Sequence, residues 1–409
     1  MTVYKNSTEL MQLSGIPIYM NDLVDACLLS KLNLFLQGDT GSGKTQLAAD
    51  TMSYFPDKSV FILGRNDMDV RDIFQQVNLN ALRTGKSSAE IKELTDKVGY
   101  HLIVVDELTN CVPAVRAQLF NLFDGYIEIN GERYDIGAGY SLGIATGNLG
   151  QKFTESSNDL GRALKDRMHV IVDTDYFKPT PSDTLEILAE NTNPRVEFSN
   201  GNDRSEEIVE SSKELRSRRV PLNKFLIANY FVHGLDYCEG PGGEAKSKTR
   251  MKDAWPNQIT NHGRGSDEAL IFPSSMRAAK SITILSQALD DIAKRKGAET
   301  VDPFESMTQA YKFVSANSGG LNEASVQANY YGDRYSAIDE LIITTRAQFD
   351  REAEKIASGL EMVNSGKLDE RVLSLFDKRW GFMRDILQGL LNKSKTHTGD
   401  LQENENRNT

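Results

Sequence analysis

The sequence predicts an α/β fold: a parallel five-stranded sheet covered by helices, followed by a smaller helical domain and a further helical stretch. Three observations carry this. Five short apolar runs, LNLFLQ (32–37), SVFILG (59–64), HLIVV (101–105), SLGIAT (141–146) and MHVIVD (168–173), are each too short for a helix and are spaced by helical patterns. Continuous rather than alternating hydrophobicity marks strands buried on both faces, the signature of a parallel sheet. The first run ends in the glycine-rich loop GDTGSGKT. Past about Thr180 the strand runs stop and amphipathic helical patterns take over.

Taken in order, the helix after the loop runs from Lys44 to about Tyr54. Between the third and fourth strands stands YIEINGERYDI, whose Asn130-Gly131 is a two-residue hairpin signal flanked by alternating apolar residues. Thr180-Pro181-Ser182-Asp183 opens a helix with a hydroxyl cap, a proline in the first turn and an early carboxylate. Residues 191–220 are polar and read partly as loop. PLNKFLIANYFVHGL reads as a helix, and residues 238–269, rich in Gly, Lys, Asp and Asn, as an inserted loop. SSMRAAKSITILSQALDDIAKR is an amphipathic helix, and the pattern stays helical to about residue 392. The final NKSKTHTGDLQENENRNT is nearly free of apolar residues and reads as a disordered tail. The division expected is a nucleotide-binding core over residues 1–178, a helical domain over 179–300 with the polar insertion, a helical region over 301–392 and the tail over 393–409.

Composition narrows the function. The 409 residues suit two or three domains, and the formal charge of -11 argues against a general nucleic-acid coat, since phosphate contacts need Lys and Arg. A local basic groove is compatible with that average. Cys27, Cys111 and Cys238 form no C-x-x-C pair, and the five histidines are scattered without zinc spacing. A reduced, cytoplasmic protein is the expectation. MTVYKNSTELMQL lacks the basic start and apolar run of a signal peptide, and no run reaches the roughly 20 apolar residues of a membrane helix.

Gly38-Asp39-Thr40-Gly41-Ser42-Gly43-Lys44-Thr45 fits G-x-x-x-x-G-K-[ST]. Such glycines let backbone N–H groups turn inward around phosphate oxygens, with the next helix aiming its positive end at the same anion. Lys44 then reaches the β- and γ-phosphates and Thr45 supplies a magnesium ligand. HLIVVDE places Asp106 and Glu107 at the C-terminal end of a buried strand, where open α/β sheets bind ligands. Asp106 suits magnesium and Glu107 suits a general base for water, which favours ATP hydrolysis over transfer. No N-K-x-D guanine motif occurs. GDTGSGKTQ also resembles the first motif of DEAH-type helicases, and IAT (144–146) their third. DELT stands where DEAH is required, however, and no Q-R-x-G-R motif follows. A nucleic-acid motor is the alternative function, and a nucleotide-gated scaffold a third.

The features after Glu107 resemble AAA+ P-loop ATPases, and among them the MoxR-like group. DELTNCVPAVRAQLFNLFDG is similar to that group's D-E-I-N-R segment and following helix, and YIEINGERYDI to the hairpin before its sensor strand. The resemblance implies that Asn148, in GIATGN, is the polar sensor-1 residue. ALKDRMHV resembles L-D-R-F, which implies Arg167 as arginine finger with Arg162 as the alternative. SSMRAA resembles the lid motif S-P-R-A, which implies Arg277 as sensor 2, with Met276 replacing the proline. Asp69 to Lys97 is similar to the helix-2 insert shared with magnesium chelatase and dynein-like ATPases. The likeness covers roughly residues 15 to 290. Asp39-Thr40 replaces the usual Pro-Pro, Thr109-Asn110 replaces Asn-Arg, and the last 120 or so residues match nothing named. The resemblance implies a homo-hexameric ring, ATP and Mg2+ as ligands, and chaperone-like remodelling of a protein client, often with a von Willebrand type A domain partner.

Overall fold

Three of the five core strands are apolar on both faces, so the sheet must be sandwiched. The computed structural model shows this sandwich and describes residues 3–77, 92–129, 131–148, 167–190, 193–199, 201, 203–251, 255, 266–366 and 369–392. Strands are numbered in chain order. An N-terminal hairpin comprises β1 (Met11–Leu13) and β2 (Ile16–Ile18). The core strands are β3 (Leu34–Gln37), β4 (Ser59–Leu63), β7 (Leu102–Asp106), β10 (Leu142–Gly147) and β11 (Val170–Asp173). They form one sheet in the order β11-β3-β10-β7-β4, with every pair parallel. Leu34 pairs with Ile144 and with Val170, and Leu102 with Leu142 and Ser59. This register brings the C-terminal residues Gln37, Asp106, Gly147 and Asp173 to one edge.

One face of the sheet is closed by the helix Pro113–Phe123. Its Val115, Leu119, Leu122 and Phe123 pack with Phe35, Ile103, Val105, Ala145 and Ile171. Burying each such aromatic or aliphatic side chain contributes about 1.5–3 kcal/mol. The predicted hairpin is present as β8 (Tyr126–Ile129) and β9 (Glu132–Asp135), antiparallel, with Tyr126 opposite Asp135. Its Ile127 and Ile129 join the core, while Arg133 lies 4.1 Å over the Tyr126 ring. Asn130 lies outside the described residues. Of the long segment between β4 and β7, the described parts are a helical turn, Arg71–Phe74, and β5 (Gln75–Val77) paired antiparallel with β6 (Lys92–Leu94). Fully buried Phe74 ties that extension to the core.

Two elements escape a reading based on strand runs. The helix Met20–Ser30 starts where Asp22 accepts a bond from the Tyr19 N–H at 2.9 Å, and it packs against a second helix, Ser205–Ser217. The latter lies in the polar stretch expected to include loop. Of its three strongly apolar residues, Ile208, Val209 and Leu215, the two that are buried, Ile208 and Leu215, are seven apart, so two apolar side chains anchor a helix that composition alone conceals.

By contacts the chain divides into Met1–Pro221 with Lys280–Gly319, and Leu222–Ala279 with Gly320–Thr409. The second unit contains the helix Leu222–Asn229, which continues as a π-helical turn, and the 31-residue helix Arg334–Asn364, about 46 Å long. Residues 238–269, expected as an inserted loop, are in their described part a folded element. β12 (Tyr237–Glu239) pairs with β13 (Ala245–Ser247), and short helices span Lys248–Met251 and Asp267–Leu270. The physical reason is pairing of the very charges that made the stretch look solvated. Fully buried Lys248 donates to the carbonyls of Asp267 (2.7 Å) and Ile271 (2.9 Å), and Arg379 bonds the Asp267 carboxylate at 2.5 Å. Buried charges persist only when paired in this way. Among the described residues no helix is long and apolar enough to cross a membrane.

Candidate functional site

The loop between β3 and the helix Lys44–Met52 needs its glycines. Gly43 precedes that helix at φ +82°, a conformation that L side chains rarely adopt. At Gly38, an added Cβ would stand 2.3 Å from the Thr174 hydroxyl. The loop is held closed from β11's end: Asp39 N–H donates to the Asp175 carboxylate at 2.7 Å, and the Ser42 and Thr174 hydroxyls are 2.8 Å apart. Lys44, 6% exposed, donates to the carbonyls of Gly38 (3.1 Å) and Asp39 (2.5 Å) and to the Ser42 hydroxyl (3.1 Å). Burial lowers its pKa, opposed by the carboxylates of Asp175, Asp106, Asp39 and Asp173. Lys44 thus stands at the N-terminus of its helix with its ammonium turned onto the loop, a position suited to an anionic ligand.

Beside it, β7 delivers Asp106 and Glu107. Asp106 Oδ1 accepts from Thr45 Oγ1 at 3.0 Å and from Thr146 Oγ1 at 2.5 Å, and Thr146 in turn accepts from the Glu107 N–H at 3.0 Å. One threonine therefore fixes both acidic residues. Glu107 sits at φ +55°, a backbone state that costs a non-glycine residue on the order of 1 kcal/mol or more. In this conformation Glu107 lines the cleft, and Asn110 Nδ2 donates to Glu107 Oε2 at 2.7 Å. Asn148 follows β10 by one residue. The structure thus brings Thr40 to Thr45, Asp106, Glu107 and Asn148 together around one cleft of about 880 Å³. The hydroxyl of Thr45 and the carboxylate of Asp106 are hard oxygen donors side by side, a set that fits magnesium. Among the described residues no cluster of three or more His, Cys, Asp or Glu forms a separate metal site.

The cleft has a second wall that motif reading missed. Val3, Tyr4, Ile187, Pro194 and Val196 supply apolar surface there. The wall is anchored by paired amides: Gln46 Nε2 donates to Glu197 O and Glu197 N to Gln46 Oε1, each at 2.9 Å. The Tyr4 N–H bonds Asp50 at 2.7 Å. Gln46 lies one residue past the loop motif, and residues 3–4 and 193–197 carry no periodic pattern, so no sequence signal points to them.

Arg167 stands apart from these residues. It precedes β11, and its carbonyl accepts from Asn33, which precedes β3, so it lies at the N-terminal edge of the sheet, opposite Lys44 and Asp106. Its guanidinium pairs with Asp124 at 2.9 Å and lies 5.0 Å from the Phe120 ring. Arg162 lies outside the described residues. Arg277 is on the first turn of the helix Met276–Arg295, in the part of it that groups with the second unit.

Residues 33–168 match the profile of the AAA domain of the dynein-related subfamily. Among solved structures, a candidate ATPase from Cytophaga hutchinsonii is 15% identical, with 79% of this chain and 88% of that chain covered and a TM-score of 0.55, a likeness of fold. A full-length MCM homolog from Methanopyrus kandleri is 12% identical, with 71% and 53% covered and a TM-score of 0.43. No curated protein sequence matches the chain.

Proposed function

We propose, from the premise that the chain is built on an AAA+ ATPase core followed by a helical lid, that it hydrolyses Mg-ATP to remodel or assemble a partner protein in the manner of MoxR-like chaperones. The observation that carries the hydrolytic part is the Thr45–Asp106–Thr146–Glu107 chain of hydrogen bonds beside Lys44. In this reading the N–H groups from Gly38 to Thr45 cradle the phosphates, and Lys44 binds the β- and γ-phosphate oxygens. Thr45 and Asp106 hold magnesium, which neutralises charge on those oxygens when bound. Glu107 takes a proton from the attacking water, and Asn148 orients that water. The apolar wall of Val3, Tyr4, Ile187, Pro194 and Val196 receives the adenine.

We assign Arg167 the role of arginine finger and Arg277 that of sensor 2. Placement of Arg167 at the far edge of its own sheet supports action on a neighbouring chain, and hence a ring, for which we take the hexamer. A guanidinium suits the transition state because its flat fork gives two donors to phosphoryl oxygens. A von Willebrand type A domain protein is the partner class we favour. The test is pull-down with tagged Glu107→Gln in ATP and in ADP. A partner retained in ATP and released in ADP is expected; equal retention in both contradicts remodelling. Stimulation of turnover by single-stranded DNA, without a protein partner, would point to the nucleic-acid motor instead.

A further inference from the structure

The N-terminal edge of the sheet, opposite the phosphate loop, carries a pocket of its own. It has a volume of about 330 Å³, and its lining includes Lys31, Gly139, Ser212, Lys213, Arg216 and Ser217. Three of these are cations and no lining residue is a carboxylate, in a chain whose net charge is -11. Lys31 closes the helix Met20–Ser30 in the left-handed conformation, at φ +56°, and donates to the Gly139 carbonyl at 2.7 Å. Arg216 donates to the Ser30 carbonyl at 3.3 Å. These bonds cap a helix end, yet each uses one donor of an ammonium with three and a guanidinium with five.

Capping does not account for the rest. Ser212 is 1% exposed, lines the pocket, and its hydroxyl has no hydrogen-bond partner among the described residues. An unsatisfied buried hydroxyl is destabilising, so its position needs a reason. Burial, and next the Arg216 charge, lower the pKa of Lys31, with Asp135 acting in the opposite sense. Like charges are thus held together at a pocket where a buried donor also lacks an acceptor.

We propose that this pocket binds a phosphate group, with Lys31, Lys213 and Arg216 neutralising it and the Ser212 hydroxyl donating to one of its oxygens. Charge-assisted bonds of this kind are the strong ones in anion recognition. The same chemistry is offered by a small phosphomonoester or by a phosphodiester of single-stranded nucleic acid, and the volume admits one phosphate with a small attached group.

The experiment uses the full chain with its nucleotide cleft saturated by a non-hydrolysable ATP analogue. Inorganic phosphate binding is measured by calorimetry, and binding of a labelled oligothymidylate by fluorescence anisotropy. Arg216→Ala, at an exposed side chain, and Ser212→Ala are compared with wild type, with analogue binding as the control for folding. Phosphate binding weakened about tenfold or more in both variants is expected. Oligonucleotide binding lost in the same variants and competed by phosphate identifies the phosphodiester source. Phosphate binding without oligonucleotide binding identifies the small ligand. Wild type that binds neither probe, or variants that bind both as wild type does, overturns the proposal.

Discussion

At the scale of single residues, Thr146 links the acidic pair more than any motif position does. It donates to Asp106 and accepts from the Glu107 N–H, so Thr146→Val removes both bonds while keeping shape. The loss of a hydrogen bond to a charged group, worth about 1.5–3 kcal/mol, is expected to lower kcat for ATP roughly tenfold or more with little change in KM. Steady-state phosphate release checks this, and an unchanged kcat would remove Thr146 from the site. That Lys44, Thr45, Asp106 and Glu107 meet at one edge of the sheet was legible in the sequence, because it depends on local spacing in one loop and at one strand end. Thr146 and Gln46 were not, because each acts across the fold on a residue 40 or more positions away.

At the scale of elements, the helix Pro181–Glu190 is fastened at its start by a carboxylate. Asp183 accepts from the Thr180 N–H (2.7 Å) and hydroxyl (2.8 Å) and from the Ser7 N–H (2.9 Å), and so ties the N-terminal segment to this helix. Burial raises its pKa, but the bonds from Ser7 and Thr180 outweigh that and hold it at about 2, below the ordinary 3.8. A depressed folded-state pKa stabilises fully above the ordinary value, and the contribution fades as pH falls towards 2. Asp183→Ala is therefore expected to cost about 2 kcal/mol in urea unfolding at pH 7 and much less at pH 2. An equal cost at both values would mean the carboxylate charge contributes nothing. This cap was readable from Thr180-Pro181-Ser182-Asp183; its second grip, on Ser7, was not. The five strands were equally plain, since unbroken apolar runs leave few alternatives. The folded hairpin and short helices within residues 238–269 were concealed because Lys248, Asp267 and Arg379 are charged yet buried against one another.

At the scale of the whole molecule, the reading requires residues from two chains. Lys44 and Arg167 stand at opposite edges of one sheet, so in the proposed ring a chain with Lys44→Ala and a chain with Arg167→Ala would each lack a different half of a shared site. Mixing the two inactive variants is expected to restore a fraction of ATP turnover. No recovery in mixtures shown by mass measurement to co-assemble would contradict an arginine acting in trans. Asp124, which caps the helix Pro113–Phe123, pairs with Arg167 and so holds that guanidinium at the N-terminal edge of the sheet. The central claim, that this cleft hydrolyses ATP with Glu107 as base, is tested most directly by comparing wild type and Glu107→Gln for ATP binding and for phosphate release under the same Mg2+ conditions. The expected result is ATP affinity retained and turnover reduced about 100-fold or more; turnover equal to wild type in a variant that binds ATP normally would contradict it.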